Sequence, residues 1–160
     1  MPTRNAMTEP ERYSLRLCRK DDLDQILVVE KATFPDAYDR STFAQILETE
    51  PAGFMIAERD HRIVGYVCSV SSGDEAIICS IAVSKHDRRG GIGASLMGAE
   101  LGYLSSRVTT VLLQVSVHNE AALSMYKKFG FRSTGRIRRY YPNGDDAWTM
   151  MLSFRGPTRQ

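Results

Sequence analysis

The sequence of 160 residues lacks paired cysteines and long apolar runs. Its three cysteines, Cys18, Cys68 and Cys79, form no C-x-x-C pair and are odd in number, which argues against a zinc site and against a disulfide framework. No stretch reaches the roughly 20 apolar residues of a membrane helix, and the N-terminus has no signal-peptide core. These absences predict a cytoplasmic protein with reduced thiols and no membrane partner.

A strong excess of one charge is also missing. Lysine and arginine number 21 against 19 aspartates and glutamates, a net charge of +2. Because the arginines within residues 132–139 flank tyrosines without a wider basic face, we predict no nucleic-acid partner. The length and a hydrophobic content of 42% suit one domain. We expect that domain over 13–155, between flexible tails at 1–12 and 156–160.

What the sequence does contain is a glycine-rich segment that separates a strand from a helix. The apolar run I-I-C-S-I-A-V leads to Arg88 and Arg89, then to glycines at 90, 91 and 93, and then to a helix with apolar residues at helical spacing. Unpaired N–H groups and the positive end of a helix dipole favour phosphate at such a position. The segment therefore predicts a phosphate-bearing ligand at the start of this helix.

The spacing of the glycines narrows the class of ligand. No Lys-Ser or Lys-Thr pair follows them, as a P-loop requires, and Leu96 stands where a dinucleotide fingerprint needs glycine or alanine. The remaining pattern, Arg88-x-x-Gly91-x-Gly93 after I-A-V, resembles the acetyl-CoA-binding motif of the GNAT N-acetyltransferase superfamily. The alternative is a glycine-rich turn with solvated arginines. The resemblance implies that acetyl-CoA is held by Ile81, Ala82, Val83, Arg88, Arg89, Gly90, Gly91, Ile92, Gly93 and Ala94.

A second motif follows in the order that the family would require. Residues 111–117 read as an apolar strand, and Asn119 is placed to cap a helix that ends at Gly130. The string N-E-A-A-L-S-M-Y-K-K-F-G-F resembles the family's next motif, in which Asn119 and Tyr126 approach the cofactor. The alternative for Tyr126 is a half-buried core aromatic.

The whole chain reads as one α/β domain of GNAT type, with about seven strands in a mixed sheet and about four flanking helices. The predicted order is β-α-α-β-β-β-α-β-α-β-β. A helical crossover makes the strands at 77 and 111 parallel. The resemblance adds that these strands splay apart and admit acetyl-CoA. The predicted strands cover 13–18, 54–58, 63–71, 77–83, 111–117, 132–141 and 147–154, and the predicted helices start near 22, 41, 92 and 120. We expect the third helix to run to about Arg107.

Two further segments suggest the acceptor. The hairpin R-R-Y-Y-P-N-G-D-D-A-W resembles that of RimI-like protein N-terminal acetyltransferases, in which a tyrosine pair, here Tyr140 and Tyr141, holds the peptide backbone. The segment E-K-A-T-F-P-D-A-Y resembles the opposite wall of the peptide groove, which implies Phe34, Pro35 and Tyr38. The alternative is that the tyrosines only decorate the hairpin and that Phe34 fills the core. The implied partner is a protein or peptide N-terminus, with a ribosomal protein as one candidate.

The implied reaction is direct attack of a neutral α-amine on the thioester, without a metal. By resemblance, the N–H near Val83 donates to the developing oxyanion, and Tyr126 protonates the departing sulfur. RimI-like enzymes have a glutamate where this chain has Gln114, which can hold a water but cannot act as a base. We therefore predict Asp36 as the base, directly or through water, with His118 as the other candidate.

The residues favour an N-terminal α-amine as acceptor but leave two other functions open. An α-amine with a pKa near 8 needs a weaker base than lysine with a pKa near 10.4, which favours an N-terminal substrate beside Gln114. An acetyltransferase for a small-molecule amine would keep the fold and the donor. A non-catalytic acyl-CoA-binding module would bind CoA without turnover.

Overall fold

One sheet of seven strands, in the order β1-β2-β3-β4-β5-β7-β6, organises the computed structural model, which describes residues 12–154. The strands are β1 (Ser14–Leu17), β2 (Phe54–Arg59), β3 (Arg62–Ser72), β4 (Glu75–Val83), β5 (Thr110–Ser116), β6 (Arg132–Ile137) and β7 (Ala147–Ser153). The α-helices of this part of the chain are α1 (Leu23–Thr33), α2 (Arg40–Thr49), α3 (Ile92–Leu104) and α4 (Glu120–Lys128). The predicted order of elements is confirmed. The tails predicted at 1–12 and 156–160 lie outside the described residues, except for Arg12.

Helices cover both faces of the sheet and create two cores. On one face, α1 and α2 contribute Leu23, Ile26 and Phe43, which pack on aromatic and aliphatic side chains of β2 and β3. On the other face, α3 and α4 contribute Leu96 and Tyr126 to a second core with β3, β5 and β7. None of the helices between residues 12 and 154 is long and apolar enough to cross a bilayer.

Local signals explain where α2 begins and where α4 begins and ends. The Asp39 side chain accepts a hydrogen bond of 2.9 Å from the N–H of Thr42, and Asn119 caps α4 by accepting from Ala122 at 3.2 Å. Gly130 has a φ of 101°, and the N–H of Phe131 donates to the carbonyl of Tyr126, the pattern of a Schellman end. The predicted cap and stop of α4 are therefore confirmed.

Two predicted boundaries were wrong. We expected α3 to reach about Arg107, but it ends at Leu104, whose carbonyl accepts from both Arg107 and Val108 and so closes the helix with a turn. We expected β6 to continue to Tyr141, but it ends at Ile137. Asp146 accepts there from the N–H of Arg139, which adopts a left-handed φ of 51°. Tyr140 and Tyr141 consequently lie on a loop and not on a strand.

Candidate active site

A notch in the sheet lies where β4 and β5 separate. These parallel strands pair at only three positions, from Glu75–Thr110 to Ile77–Leu112. Beyond them, β4 continues to Val83 and β5 continues to Ser116 without further pairing to each other. The structure therefore contains the splayed strands that the family resemblance implies.

The edge of β4 presents free backbone groups to this notch. The N–H of Ser84 donates to the carbonyl of Val64 at 2.7 Å, and the register pairs Val83 with Gly65. Because hydrogen-bonded and non-hydrogen-bonded pairs alternate in an antiparallel ladder, the N–H and C=O groups of Ile81 and Val83 point away from β3. They face the notch, so the N–H of Val83 is available as a donor.

The first turn of α3 forms the mouth of the notch. Gly91 precedes the helix with a left-handed φ of 84°, a conformation that glycine adopts without strain. A Cβ on Gly93 would lie 3.6 Å from both Val83 of β4 and Met125 of α4. The backbone of α3 therefore approaches both walls closely, and its unpaired N–H groups open into the notch.

The two arginines before these glycines have different environments. Both side chains are exposed, but that of Arg88 turns inward, where its Nε donates to the carbonyl of Val83 at 2.9 Å and its guanidinium reaches Thr33 Oγ1 of α1 at 3.5 Å. Arg89 is exposed and has a φ of 70°. Asp87, just before them, is buried and forms an ion pair of 2.5 Å with Arg59 of β2. The contacts of Asp87 and Arg88 therefore hold the loop in place, and the side chain of Arg89 is open to solvent.

Tyr126 reaches the notch from α4. It is 6% exposed, and its ring contacts that of Phe131 with centroids 5.8 Å apart. Burial, with a smaller contribution from the neighbouring Tyr141, raises the pKa of the phenol well above its usual value. The phenol therefore keeps its proton at neutral pH, as a proton donor must.

Two walls form a groove beside the notch. Tyr38 donates from its phenol to the carbonyl of Cys79 on β4 at 3.3 Å. On the opposite wall, the rings of Tyr140 and Tyr141 meet edge to face at 4.9 Å. Burial, together with Tyr140 and Asp36, raises the pKa of Tyr141 to about 12, so the carboxylate of Asp36 lies near this ring.

The candidate bases lie in different places. Gln114 is exposed on β5, where alternation directs its side chain opposite to the buried Leu113. Asp36 is exposed in the loop between α1 and α2. Both line the cleft. His118 lies 3.7 Å from Asp145 with its side chain 73% exposed, and it is not among the residues that line the cleft.

A single cleft of about 1460 Å³ joins the notch to the groove. It brings together every site residue that the sequence analysis selected except Gly90 and the alternative base His118. It also includes Glu30 and Ser80, which were missed as site residues. The available signal was a glutamate among the apolar positions of α1. No group of three or more His, Cys, Asp or Glu residues suited to a metal ion occurs within residues 12–154.

Comparison with known proteins agrees with this geometry. The acetyltransferase (GNAT) family matches residues 21–131. The N-alpha-acetyltransferase of Sulfurisphaera tokodaii is 32% identical over 157 residues, covering 88% of this chain and 92% of that protein. A putative ribosomal protein bS18-alanine N-acetyltransferase of Bacillus subtilis is 29% identical, covering 89% of this chain and 96% of that protein.

A solved structure shares the fold. Arabidopsis thaliana Naa50, in complex with the bisubstrate analogue CoA-Ac-MVNAL, superimposes with a TM-score of 0.81 at 26% identity. The match covers 88% of this chain and 98% of that chain. The analogue named in that complex joins CoA to a peptide.

Proposed function

The chain belongs to the acetyltransferase (GNAT) family, and from this we propose that it transfers the acetyl group of acetyl-CoA to the free α-amine of a protein or peptide N-terminus. The observation that carries the proposal is the continuity of the cleft. An amine entering between Tyr38 and the Tyr140–Tyr141 pair would reach the splayed end of β4, where the donor's thioester would lie. Relatives named for the same reaction support it.

The residues around the notch fit acetyl-CoA, which supplies an activated thioester when bound. The N–H groups at the start of α3 and the exposed Arg89 would hold its pyrophosphate. The free edge of β4 at Ile81 and Val83 would hydrogen-bond its amide-bearing arm. The N–H of Val83 would stabilise the negative charge that develops on the carbonyl oxygen.

Two side chains would move protons. We assign Asp36, acting through a water also held by Gln114, to accept the proton that the attacking amine loses. We assign Tyr126 to donate a proton to the departing sulfur, since its phenol is protonated and lines the notch. Because an α-amine with a pKa near 8 is already partly neutral at pH 7, roughly a tenth or more of it, a weak base suffices.

The acceptor groove suits an extended peptide better than a compact amine. Phe34, Pro35 and Tyr38 on one side and Tyr140 and Tyr141 on the other would flank the first residues of the chain. We further propose that the N-terminus of a ribosomal protein is one substrate, by analogy with the Bacillus subtilis relative. A cytosolic location is consistent with the three free cysteines.

The test is acetyl-CoA turnover on short peptides that differ in their first two residues, including some that begin with alanine or methionine. Each peptide is also made with its N-terminus blocked and one lysine free. We expect activity on the free N-termini alone. Activity only on lysine or on small amines would move the acceptor to another class, and CoA binding without any turnover would indicate a binding module.

The assignment of Asp36 is tested by Asp36→Asn. We expect kcat to fall by about 10²-fold, as is typical for loss of a general base, with unchanged affinity for acetyl-CoA. The measurement is kcat as a function of pH for the variant and the original protein. Unchanged turnover across the pH range would reject Asp36 as the base.

A further inference from the structure

A buried carboxylate that the proposed chemistry does not use lies in the wall of the cleft. Glu30, on α1, is 2% exposed. Its Oε1 accepts hydrogen bonds from the hydroxyls of Tyr66 on β3 and Ser80 on β4, the latter at 2.9 Å. Its Oε2 accepts from the backbone N–H of Tyr38 at 3.0 Å. One side chain thus joins two strands of the sheet to the loop between α1 and α2.

The loop that Glu30 contacts is one wall of the acceptor groove. The phenol of Tyr38 donates to the carbonyl of Cys79, and its ring meets Phe43 edge to face at 5.6 Å. Phe43 in turn meets Tyr66 edge to face at 5.7 Å. Tyr38 is therefore fixed at its phenol, at its ring and at its N–H, and Glu30 supplies the only one of these contacts that acts on its backbone.

We propose that Glu30 is a positioning residue that sets the width of the acceptor groove by holding the loop from Phe34 to Tyr38 against β3 and β4. The inference rests on the proposed function, since it assigns the groove to a peptide N-terminus. Its consequence is that Glu30 selects which N-terminal residues fit between Tyr38 and the tyrosine pair opposite.

The hydrogen bonds that Glu30 accepts distinguish a positioning role from the role of a general base. A carboxylate has about four lone-pair sites, and three donors already occupy the carboxylate of Glu30. A base must offer a free lone pair within hydrogen-bond reach of the amine. Asp36 is exposed in the same cleft, whereas Glu30 is buried and bound on both oxygens, one of them by the loop, so we assign positioning to Glu30 and proton transfer to Asp36.

The test is the variant Glu30→Met, which nearly keeps the size of the side chain. The methionine sulfur is only a weak acceptor, so the N–H of Tyr38 and the two hydroxyls lose the carboxylate as acceptor. We expect the KM for peptide to rise about tenfold, the equivalent of about 1.4 kcal/mol. The KM for acetyl-CoA and kcat should stay within about twofold, and the pH profile should not shift.

Glu100→Met is the matched control. Glu100 is also buried and also accepts from a serine hydroxyl, that of Ser69 on β3, but it lies on α3 at the opposite face of the sheet and does not line the cleft. We expect its substitution to leave the KM for peptide within about twofold of the original value.

A second readout does not depend on activity. Hydrogen exchange at the Tyr38 amide should become about tenfold faster in Glu30→Met, because that N–H loses its acceptor. If the original protein acetylates no peptide, the proposed function fails, but this exchange measurement still decides whether Glu30 holds the loop. An unchanged exchange rate would overturn the inference.

Two further outcomes test whether Glu30 acts as a positioning residue. An unchanged KM for peptide in a folded Glu30→Met would overturn the inference, and so would a loss of kcat of about 10²-fold with a shifted pH profile, which would place Glu30 in proton transfer. If Glu30→Met does not fold, Tyr66→Phe removes one donor to the same carboxylate. We then expect a rise of about threefold in the KM for peptide, and no rise would reject the role.

Discussion

Glu30 and Glu100 are both buried glutamates that face a serine of the sheet, Glu30 on the face covered by α1 and α2 and Glu100 on the face covered by α3 and α4. Three donors satisfy Glu30. Within residues 12–154, Glu100 accepts from Ser69 alone, at 2.5 Å, and its Oε1 has no hydrogen-bond partner. Burial raises the pKa of Glu100 to about 8.

The difference follows from what each face does. We call the face under α1 and α2 the acceptor face, since it walls the groove, and the face under α3 and α4 the donor face, since it forms the notch. On the acceptor face, the buried charge is compensated and connects to a loop that would touch substrate. On the donor face, Glu100 lies in an apolar core, so its ionisation costs stability and should not alter acceptor binding.

Tyr126→Phe should have the largest effect, because Tyr126 belongs to the donor-face core and yet reaches the shared cleft. Loss of the proton donor should lower kcat by about 10²-fold or more, while the ring keeps its packing on Phe131. The measurement is single-turnover transfer at saturating peptide and acetyl-CoA. A comparable loss in Phe131→Leu, which removes only packing, would show that the effect is structural.

Glu100→Gln should act on stability alone and in a pH-dependent way. Because the pKa of Glu100 is raised from 4.5 to about 8, its contribution to stability is complete below pH 4.5 and is lost as the pH rises through 8. Between pH 5.5 and pH 8.5 the original protein should therefore lose about 2–4 kcal/mol more stability than the variant. Urea unfolding at pH 5.5 and 8.5 measures this. The exposed Glu48→Gln serves as control, and an equal pH dependence in Glu100→Gln would contradict the prediction.

Gly91→Val should weaken the binding of acetyl-CoA, the donor substrate. A β-branched residue is strained at a φ of 84°, so the mouth of the notch should distort and the KM for acetyl-CoA should rise about tenfold. The KM for peptide should change less. Gly102→Ala on the same helix is the control, because an added Cβ there meets nothing within 4 Å. An equal effect on both substrates would contradict the assignment of this turn to acetyl-CoA.

Tyr38→Phe should have the smallest effect, confined to the acceptor face. It removes only the hydrogen bond to the carbonyl of Cys79 and keeps the contact with Phe43. We expect the KM for peptide to rise about threefold, or roughly 0.7 kcal/mol, without a change in the KM for acetyl-CoA. Steady-state kinetics with each substrate varied in turn measure both KM values. A larger effect on the KM for acetyl-CoA than on the KM for peptide would contradict the assignment of Tyr38 to the acceptor groove.

Much of the fold could be predicted from signals that act over a few residues. Asn119, Gly130 and Pro35 mark helix boundaries because a cap, a left-handed residue or a clash before proline depends only on near neighbours. The end of β6 could not be predicted in this way. It depends on Asp146, which lies beyond the turn and binds both the side chain of Arg136 and the N–H of Arg139.

The candidate site shows the same difference between local signals and partners that are distant in sequence. The glycine pattern and the tyrosine pair identified most residues of the cleft because their types and spacing carry the chemistry. The inward direction of Arg88 could not be read in this way, since its partner Thr33 lies 55 residues away. The role of Glu30 was hidden for a similar reason, because its partners come from a loop and from two strands that meet only in the folded chain.

The short pairing between β4 and β5 has a consequence for how the protein unfolds. Strands β1 to β4 form a meander of sequential antiparallel neighbours, and β5, β7 and β6 form another antiparallel group, so each has its own continuous ladder. Only three residue pairs connect the two ladders. The sheet therefore has two potential cooperative units, with α3 as the segment whose packing couples them. A molecule bound across the notch would strengthen that coupling and make the domain unfold more nearly as one body.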